Sequence, residues 1–190
     1  SDLVKSVQES YEEYEFQRVY QLINRFTTVT LSATYHDILK DRLYTLKHSS
    51  KERRSAQTTI YHINRILTRL IAPILIFTSD ESRAHFIKKE AYAEDSIHLQ
   101  EFPDVPKEWE SGKIPQMMEE IMKVRIQINE SLESLRKEKT IGQSLEAEVQ
   151  IQGSESDKTF QILKRFEDFL PEIFIVSKVY LVVLQLHKSN

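Results

Sequence analysis

The sequence predicts a mainly α-helical fold, in which a helical bundle to about residue 139 is followed by a small α/β tail with a two-stranded sheet. With only 3 Gly and 5 Pro in 190 residues, turns are scarce, which favours long helices over a many-stranded sheet. Apolar residues recur with a period of 3.6 through most of the chain and then alternate with polar residues near the C-terminus. We therefore expect two domains, residues 1–139 and 140–190, with an extended connector at 88–114 inside the first.

The first helix is expected to run from the start of the chain to about Leu46. The residues of its apolar stripe are Leu3, Val4, Val7, Tyr11, Phe16, Val19, Tyr20, Ile23, Phe26, Leu31, Tyr35, Ile38, Leu39 and Leu43. The run of β-branched residues at 27–30 weakens helix propensity locally, so we expect a bend there.

Two capping boxes predict the next two helices. Ser49 as N-cap with Glu52 starts a helix that Pro73 limits. Its buried stripe is Ala56, Ile60, Ile63, Leu67 and Leu70. The segment 78–81 repeats the pattern and predicts a shorter helix to about Ile87.

The connector at 88–114 contains two prolines and a glycine, and we expect a turn of helix around Trp109. Pro115 suits the first position of a helix, which should end near Lys139 because Gly142 can break it. The inner stripe of this helix is Met118, Ile121, Arg125, Ile128, Leu132 and Leu135.

In the tail, strict alternation over 145–151 predicts a half-buried strand. Residues 156–170 predict a helix closed by Pro171. The β-branched segment 173–186 predicts a second strand that pairs with the first.

The composition is that of a soluble globular protein, with 40% hydrophobic and 29% charged residues. No apolar run approaches the ~20 residues that a membrane span needs, and no secretory leader is recognisable. The absence of Cys excludes disulfides and thiolate metal sites, which suits a cytoplasmic protein. Because the chain starts at Ser1 without Met, we expect a fragment of something longer.

Charge is strongly polarised although the formal net charge is only −3. Between Lys40 and Arg69 there are 8 basic and 2 acidic residues, whereas 90–110 holds 7 acidic residues and 1 basic one. Such polarisation lets a chain with an acidic total bind a polyanion through its basic part.

No catalytic, cofactor or metal site is predicted. The six histidines (His36, His48, His62, His85, His98 and His187) lack the spacings of metal ligands, and we interpret them as separate surface or boundary residues. No phosphate loop, nucleophile elbow or paired carboxylates stand out.

The helix after Ser49 carries a basic ridge opposite its apolar stripe. At ~100° per residue, one side holds Arg54, Thr58, His62, Arg65 and Arg69. One interpretation is an ordinary solvated face. The other is an edge that follows a nucleic-acid backbone without reading its sequence.

The preceding helix offers further candidates on its outer face, including Lys40 and Tyr44. Arg42 could pair a carboxylate across the bundle or contact a ligand. Tyr44 could stack on an unpaired base or hold the turn together. Trp109 and Phe102 are expected to anchor the connector.

Six segments carry a resemblance to a known family. They read LSATYHDILKDRLY at 31–44, RRSAQT at 53–58, LTRLIAPILIFT at 67–78, SIHL at 96–99, EKTIGQSLEA at 138–147 and LPEIFIVS at 170–177. In this order they resemble the anticodon-binding helical region of isoleucyl-tRNA synthetases, the bacterial type in particular. The sequence departs from the family pattern at Ile76, where proline is usual, and at Thr34 and His36.

The resemblance implies the anticodon-binding bundle of a class Ia synthetase, which receives the anticodon stem-loop of isoleucine tRNAs. The RNA-contacting residues are then expected to be Lys40, Arg42, Tyr44, Arg53, Arg54 and Arg65. The parent enzyme is expected to be a monomeric, cytoplasmic isoleucine–tRNA ligase that uses ATP and magnesium, with zinc as a further candidate. Its catalytic domain, on the same polypeptide, would be the other partner, because the HIGH-like and KMSKS-like signatures are absent from this chain.

Two alternatives remain open on the sequence. One is a helical protein-interaction module that binds no RNA. The other is the equivalent region of a valyl- or leucyl-tRNA synthetase.

Overall fold

The computed structural model describes residues 2–86, 96–109 and 112–184. They belong to two compact units, Ser1–Glu110 and Ser111–Asn190. This division differs from the predicted boundary at 139/140, because the helix Ile114–Lys137 packs against the helices of the tail. The mainly helical fold with a small C-terminal sheet is confirmed.

The N-terminal unit is helical throughout its regular elements. These are α1 (Asp2–Glu12), α2 (Phe16–Arg25), a π-helix (Phe26–His36), α3 (Lys40–Tyr44), α4 (Lys51–Ile71), α5 (Ile76–Phe86) and two 3₁₀ turns at Ile97–Leu99 and Lys107–Trp109. The turn at Trp109 was predicted. The single helix predicted up to Leu46 is wrong, because the chain breaks between α1 and α2.

The break after α1 is a Schellman motif. Tyr14 adopts a left-handed backbone conformation with φ of 57°. The amide of Glu15 donates to the carbonyl of Ser10 at 2.8 Å, and the amide of Tyr14 donates to that of Tyr11 at 3.1 Å. These two bonds are the 6→1 and 5→2 pair that satisfies the last carbonyls of a helix. Because the left-handed residue is Tyr rather than Gly, the sequence pattern hides this end.

The β-branched run at 27–30 changes the helix type rather than ending it. The hydroxyls of Thr27 and Thr28 donate to the carbonyls of Ile23 and Asn24, four residues back, at 2.9 and 2.7 Å. Threonine hydroxyls that bond back to helix carbonyls compete with the backbone ladder and bend helices. The predicted disturbance is therefore present, as a π-helical segment over Phe26–His36.

The ends of α4 and α5 correct both predicted capping boxes. Ser50, not Ser49, is the N-cap of α4, and its hydroxyl accepts from the amide of Arg53 at 3.2 Å. Helix α5 already begins at Ile76, so Ser79 lies inside it and is buried. The segment 78–81 therefore does not start a helix.

The core of the N-terminal unit joins α1, α2 and α4. It consists of Val4, Val7, Val19 and Leu70, with Leu3, Tyr11, Leu22, Ile23, Ile66 and Val105 packed around them. The phenol of Tyr11 donates a hydrogen bond of 2.8 Å to the carbonyl of Leu70. Burial raises the pKa of Tyr11 to about 12, since a phenolate there would be poorly hydrated.

The C-terminal unit begins with α6 (Ile114–Lys137), which has Pro115 in its first turn as predicted. It continues with a 3₁₀ turn at Ser144–Glu146, β1 (Glu148–Gly153), α7 (Lys158–Arg165), a 3₁₀ turn at Glu167–Phe169, α8 (Leu170–Phe174) and β2 (Lys178–Val183). The buried side chains of α6 are Ile121, Arg125, Ile128 and Leu132, all members of the predicted stripe.

The two strands pair in parallel, with Glu148 opposite Lys178 and Gly153 opposite Val183. Strand pairing was predicted, although β1 starts later than 145 and β2 later than 173. Pro171 does not close a helix as predicted but stands in the first turn of α8, where its missing N–H costs nothing. Gly153 is needed in β1, because a Cβ there would lie 2.4 Å from the Phe160 ring.

Some predictions fall outside the described residues. They are the end of the α5 helix at Ile87, the connector residues 88–95, 110 and 111, the last two residues of the 173–186 strand, and His187. Within the described parts of the chain, no helix is long and apolar enough to cross a membrane.

Candidate nucleic-acid interface

The candidate interface is the turn that joins α3 to α4, which we call the basic turn and define as residues 40–54. Its sequence carries six basic residues and two acidic ones. Hydrogen bonds within the turn hold its shape: the hydroxyl of Thr45 donates to the carbonyl of Asp41 at 2.6 Å, and Ser50 caps α4. The cations are therefore presented on an ordered surface.

Three of the predicted RNA-binding residues are solvent-exposed in this turn. Lys40 and Arg54 are exposed, and Tyr44 has 81% of its surface accessible. An aromatic ring so exposed contributes little to the protein core. Two exposed cations and an exposed ring on one turn are the groups that can bind the phosphates and stack on the bases of single-stranded RNA.

Lys40 has an intramolecular partner. Its ammonium lies 2.6 Å from Asp37, one helical turn earlier, and both side chains remain partly exposed. The hydrogen bond and the charge of Asp37 raise the pKa of Lys40, so it stays protonated at neutral pH. An exposed pair of this kind is weak enough to exchange for a phosphate.

Arg53 and Arg42 are less accessible than Arg54. Arg53 Nη1 donates to the carbonyl of Leu46 at 2.8 Å, and its Nε is buried. Arg42 is half-buried on α3. Both remain predicted contacts, but Arg53 also holds the turn, which sequence periodicity could not reveal.

The basic ridge on α4 is covered along its second half. The rings of His62 and Trp109 lie 4.8 Å apart, so the segment that carries Trp109 packs against this face. Burial lowers the pKa of Arg69, and the charge of Arg65 adds to this effect. The guanidinium of Arg65 lies 5.7 Å from the ring centre of Tyr61. The open part of the ridge is therefore its start, at Arg54 and Thr58.

The aromatic residues of the connector anchor it, as predicted. Phe102 lies 5.5 Å from Tyr11 between ring centres, and Trp109 contacts His62. A cavity of about 550 Å³ remains beneath this segment. Its lining is mostly apolar: Leu3, Val4, Phe26, Thr58, Thr59, His62, Ile63, Ile66, Leu67, Val105 and Trp109.

Sequence reasoning missed three side chains of the basic turn. Lys47, His48 and Lys51 are exposed between and beside the predicted contacts. Lys47 and His48 lie in the loop and Lys51 is the first residue of α4, so the periodic pattern of a helix face did not include them. Lys47 and Lys51 extend the positive surface from α3 to α4.

No metal site is evident in the parts of the chain that the structure describes. There, no three His, Cys, Asp or Glu residues lie close enough to hold an ion. The described residues include five of the six histidines, namely His36, His48, His62, His85 and His98.

Comparison with known proteins identifies the class. Residues 1–151 match the family described as the anticodon-binding domain of tRNA ligase. The chain therefore belongs to the anticodon-binding domain family of tRNA ligases.

Individual relatives are more specific. The chain is similar to the isoleucine–tRNA ligase of Caldanaerobacter subterraneus subsp. tengcongensis, with 42% identity over 179 residues, which is 94% of this chain and 19% of the relative. It is similar to that of Syntrophotalea carbinolica, with 39% identity over 181 residues, 95% of this chain and 19% of the relative. It is also similar to the isoleucine–tRNA ligase of Natranaerobius thermophilus, with 40% identity over 172 residues, which is 90% of this chain and 18% of the relative. The chain thus spans about a fifth of the length of the curated relatives it matches.

Proposed function

We propose that this chain is the anticodon-binding part of an isoleucine–tRNA ligase, and that the basic turn receives the anticodon stem-loop of isoleucine tRNA. The observation that carries the proposal is that two cations, Lys40 and Arg54, and the ring of Tyr44 are all exposed on the same turn. The names of the relatives support the choice of isoleucine.

The proposed interface makes two kinds of contact with RNA, namely ionic contacts to phosphates and stacking on a base. Lys40 and Arg54, with Lys47 and Lys51 beside them, hold the phosphates of the stem and release counterions. The ring of Tyr44 stacks on an unpaired anticodon base, which contributes affinity without strict sequence preference. Discrimination between bases then falls to polar groups around the ring.

Arg42, Arg53 and Arg65 act more through position than through direct phosphate contact. Arg53 holds Leu46, and Arg65 lies against the ring of Tyr61. Each remains close enough to the basic turn or ridge to add to the local positive potential.

The proposal extends to the parent protein. Aminoacylation with isoleucine, together with ATP, magnesium and zinc where present, belongs to parts of the ligase outside this chain. We place the enzyme in the cytoplasm and treat it as a monomer.

A binding titration tests the RNA function. The chain is titrated with the anticodon stem-loop of an isoleucine tRNA and with the same hairpin carrying a scrambled loop, over a range of salt concentrations. We expect tighter binding of the authentic loop and an affinity that falls linearly with the logarithm of salt. Binding without a salt slope and without loop preference would instead favour a protein-interaction module.

Competition between tRNAs tests the choice of amino acid. Unlabelled isoleucine, valine and leucine tRNAs compete with the labelled isoleucine stem-loop. Stronger competition by valine or leucine tRNA would assign the chain to one of those relatives.

A further inference from the structure

The cavity of about 550 Å³ in the N-terminal unit has the size of a small-molecule site. We call it the apolar cavity and define it by the lining residues given above. Ligand pockets in proteins usually enclose roughly 300–1,000 Å³ and have mostly apolar walls. Helix α1 contributes Leu3 and Val4, α4 contributes Ile63 and Leu67, and the π-helix contributes Phe26. The apolar cavity therefore meets both conditions with side chains from three helices.

The hydrophobic core fixes the walls of the apolar cavity. Val4, which lines the cavity, is itself a member of the core. Leu3, Ile66 and Val105 also line the cavity, and all three pack around the core residues. Close-packed side chains of this kind relax only partly into an empty space beside them. The cavity is therefore preformed.

The lining favours an uncharged ligand. The described residues around the apolar cavity include no Asp, Glu, Lys or Arg. A charged group placed there would lose its hydration without gaining a partner of opposite charge, which is costly. An apolar molecule in the same place gains hydrophobic stabilisation, because the walls are mostly carbon.

The lining also offers a few hydrogen-bonding groups. The hydroxyls of Thr58 and Thr59 donate to the carbonyls of Arg54 and Ser55, at 2.9 and 3.0 Å. A hydroxyl that donates to the backbone keeps a lone pair that can accept a hydrogen bond. A ligand that carries one O–H or N–H donor can therefore be oriented beside the threonines.

Three aromatic side chains, Phe26, His62 and Trp109, line the same cavity. The rings of His62 and Trp109 meet edge to face, with their centres 4.8 Å apart and an interplanar angle of 68°. Trp109 remains 44% exposed, so part of its ring is free for a further contact. Aromatic rings favour offset or edge-to-face contacts with other rings. A flat aromatic ligand therefore suits these walls better than an aliphatic one.

We propose that the apolar cavity binds an uncharged, bicyclic aromatic molecule that carries one hydrogen-bond donor. A cavity of about 150 Å³ with apolar walls is large enough for benzene, so the apolar cavity has room for two fused rings. The bound molecule joins α4 to the segment that carries Trp109. This site is independent of the proposed function, because no described residue of its lining belongs to the basic turn.

An NMR titration of the 190-residue chain tests the proposal. The probe is 2-naphthol, which is bicyclic, uncharged at neutral pH and carries one hydroxyl donor. The single tryptophan, Trp109, gives one indole N–H signal, and we expect this signal to shift saturably with 2-naphthol. Naphthalene-2-sulfonate, which carries a charge in place of the hydroxyl, should bind at least about ten-fold more weakly. No saturable shift, or equal affinities for the two probes, would overturn the proposal.

A variant that fills the apolar cavity should compete with the ligand for space. Ile63→Phe adds a ring inside the cavity and should weaken 2-naphthol binding at least about ten-fold. Gln57→Phe is the matched control, because it adds the same ring at an exposed position of α4 outside the lining. This control should bind 2-naphthol as the parent chain does. An unchanged affinity in Ile63→Phe would contradict the proposal.

Contacts measured on the unaltered chain do not depend on how a variant folds. Intermolecular nuclear Overhauser effects should connect the ring protons of 2-naphthol with the methyl groups of Ile63, Leu67 and Val105. Effects confined to an exposed apolar side chain such as Phe77, which is 88% exposed, would show adventitious binding only and would overturn the proposal.

The anticodon stem-loop distinguishes a small-molecule site from a pocket for an RNA base. In the presence of saturating stem-loop, the affinity for 2-naphthol should be unchanged. Displacement of 2-naphthol by the stem-loop would assign the apolar cavity to RNA and overturn the proposal. If the stem-loop does not bind at all, the proposed function fails while the result with 2-naphthol stands.

Discussion

Arg53 Nη1 donates a hydrogen bond of 2.8 Å to the carbonyl oxygen of Leu46, across the turn that separates α3 from α4. Its neighbour Arg54 is exposed. Two adjacent arginines in one motif therefore have different surroundings, and their substitutions should have different effects.

We expect Arg54→Ala to weaken stem-loop binding a few-fold and to reduce the salt slope by about one. Arg53→Ala should instead lower the free energy of unfolding by about 1 kcal/mol, because the Leu46 carbonyl loses its partner. Salt-dependent titration and thermal unfolding of both variants measure the two effects. Equal slopes and equal stabilities for the two variants would contradict the assignment.

Substitutions of Tyr44 test stacking. Tyr44→Ala should cost about 1–3 kcal/mol of binding free energy, the usual contribution of one stacked base, while Tyr44→Phe keeps the ring and should bind nearly as tightly. The salt slope should not change in either variant, because no charge is removed. Similar losses in Ala and Phe would show that the hydroxyl, rather than the ring, makes the contact.

The Tyr11–Leu70 hydrogen bond predicts a stability loss at high pH. Burial raises the pKa of Tyr11 in the folded protein to about 12, which is above its ordinary value of about 10. The protonated phenol therefore stabilises the fold fully below about pH 10. This contribution falls as the pH rises from about 10 towards the folded pKa. Tyr11→Phe should lower the free energy of unfolding by about 1 kcal/mol at pH 7 and should remove this alkaline dependence. Urea unfolding at several pH values provides the measurement.

The hydrogen bonds that Asp80 accepts should make the stability of the fold depend on pH in the acid range. The amide of Ile97, and then the hydroxyl of Ser96, lower the pKa of Asp80 below its ordinary value. Its contribution is therefore present above about pH 4, the ordinary carboxyl value, and is lost as the pH falls through the lower folded pKa. The single tryptophan, Trp109, lies in the same segment and reports its docking by fluorescence. Asp80→Ala should loosen the segment at pH 7, whereas Glu81→Ala, an exposed neighbour, should not.

The left-handed backbone of Lys139 makes a glycine substitution at this position a stabilising one. Its φ is 58°, and the amides of Lys139 and Thr140 close a Schellman motif at the end of α6. A left-handed conformation costs an ordinary residue roughly 1 kcal/mol, and Gly avoids most of that cost. Lys139→Gly should therefore raise the free energy of unfolding by several tenths of a kcal/mol. A neighbouring exposed residue with ordinary backbone, as in Lys137→Gly, should be destabilising instead.

These helix ends explain what the sequence could not predict. Helices α4 and α6 were found because long apolar stripes and a serine or proline at the start are visible in the sequence. The ends at Tyr14 and Ile175 were hidden, because both are left-handed residues that are not glycine. The end of α6 near Lys139 was predicted, but from Gly142 rather than from the left-handed residue itself. Their backbone bonds depend on neighbouring carbonyls rather than on side-chain type.

The candidate interface, too, has one part that was predicted from the sequence and one part that was not. The basic turn was predicted from charge and from the motif. The partial burial of Arg65 and Arg69 was not predicted. Periodicity shows which side of α4 faces away from the apolar stripe but not which distant segment covers that side. Trp109 packs there from more than 40 residues away along the chain.

The 21-residue length of α4 has a geometric consequence. Because its ends lie roughly 30 Å apart, a tilt of about 10° about the end at Ile71 displaces the end at Lys51 by about 5 Å. That displacement is comparable to the spacing between successive phosphates of an RNA strand. In the proposed function, a small change in the tilt of α4 therefore shifts the basic turn along the RNA by about one nucleotide.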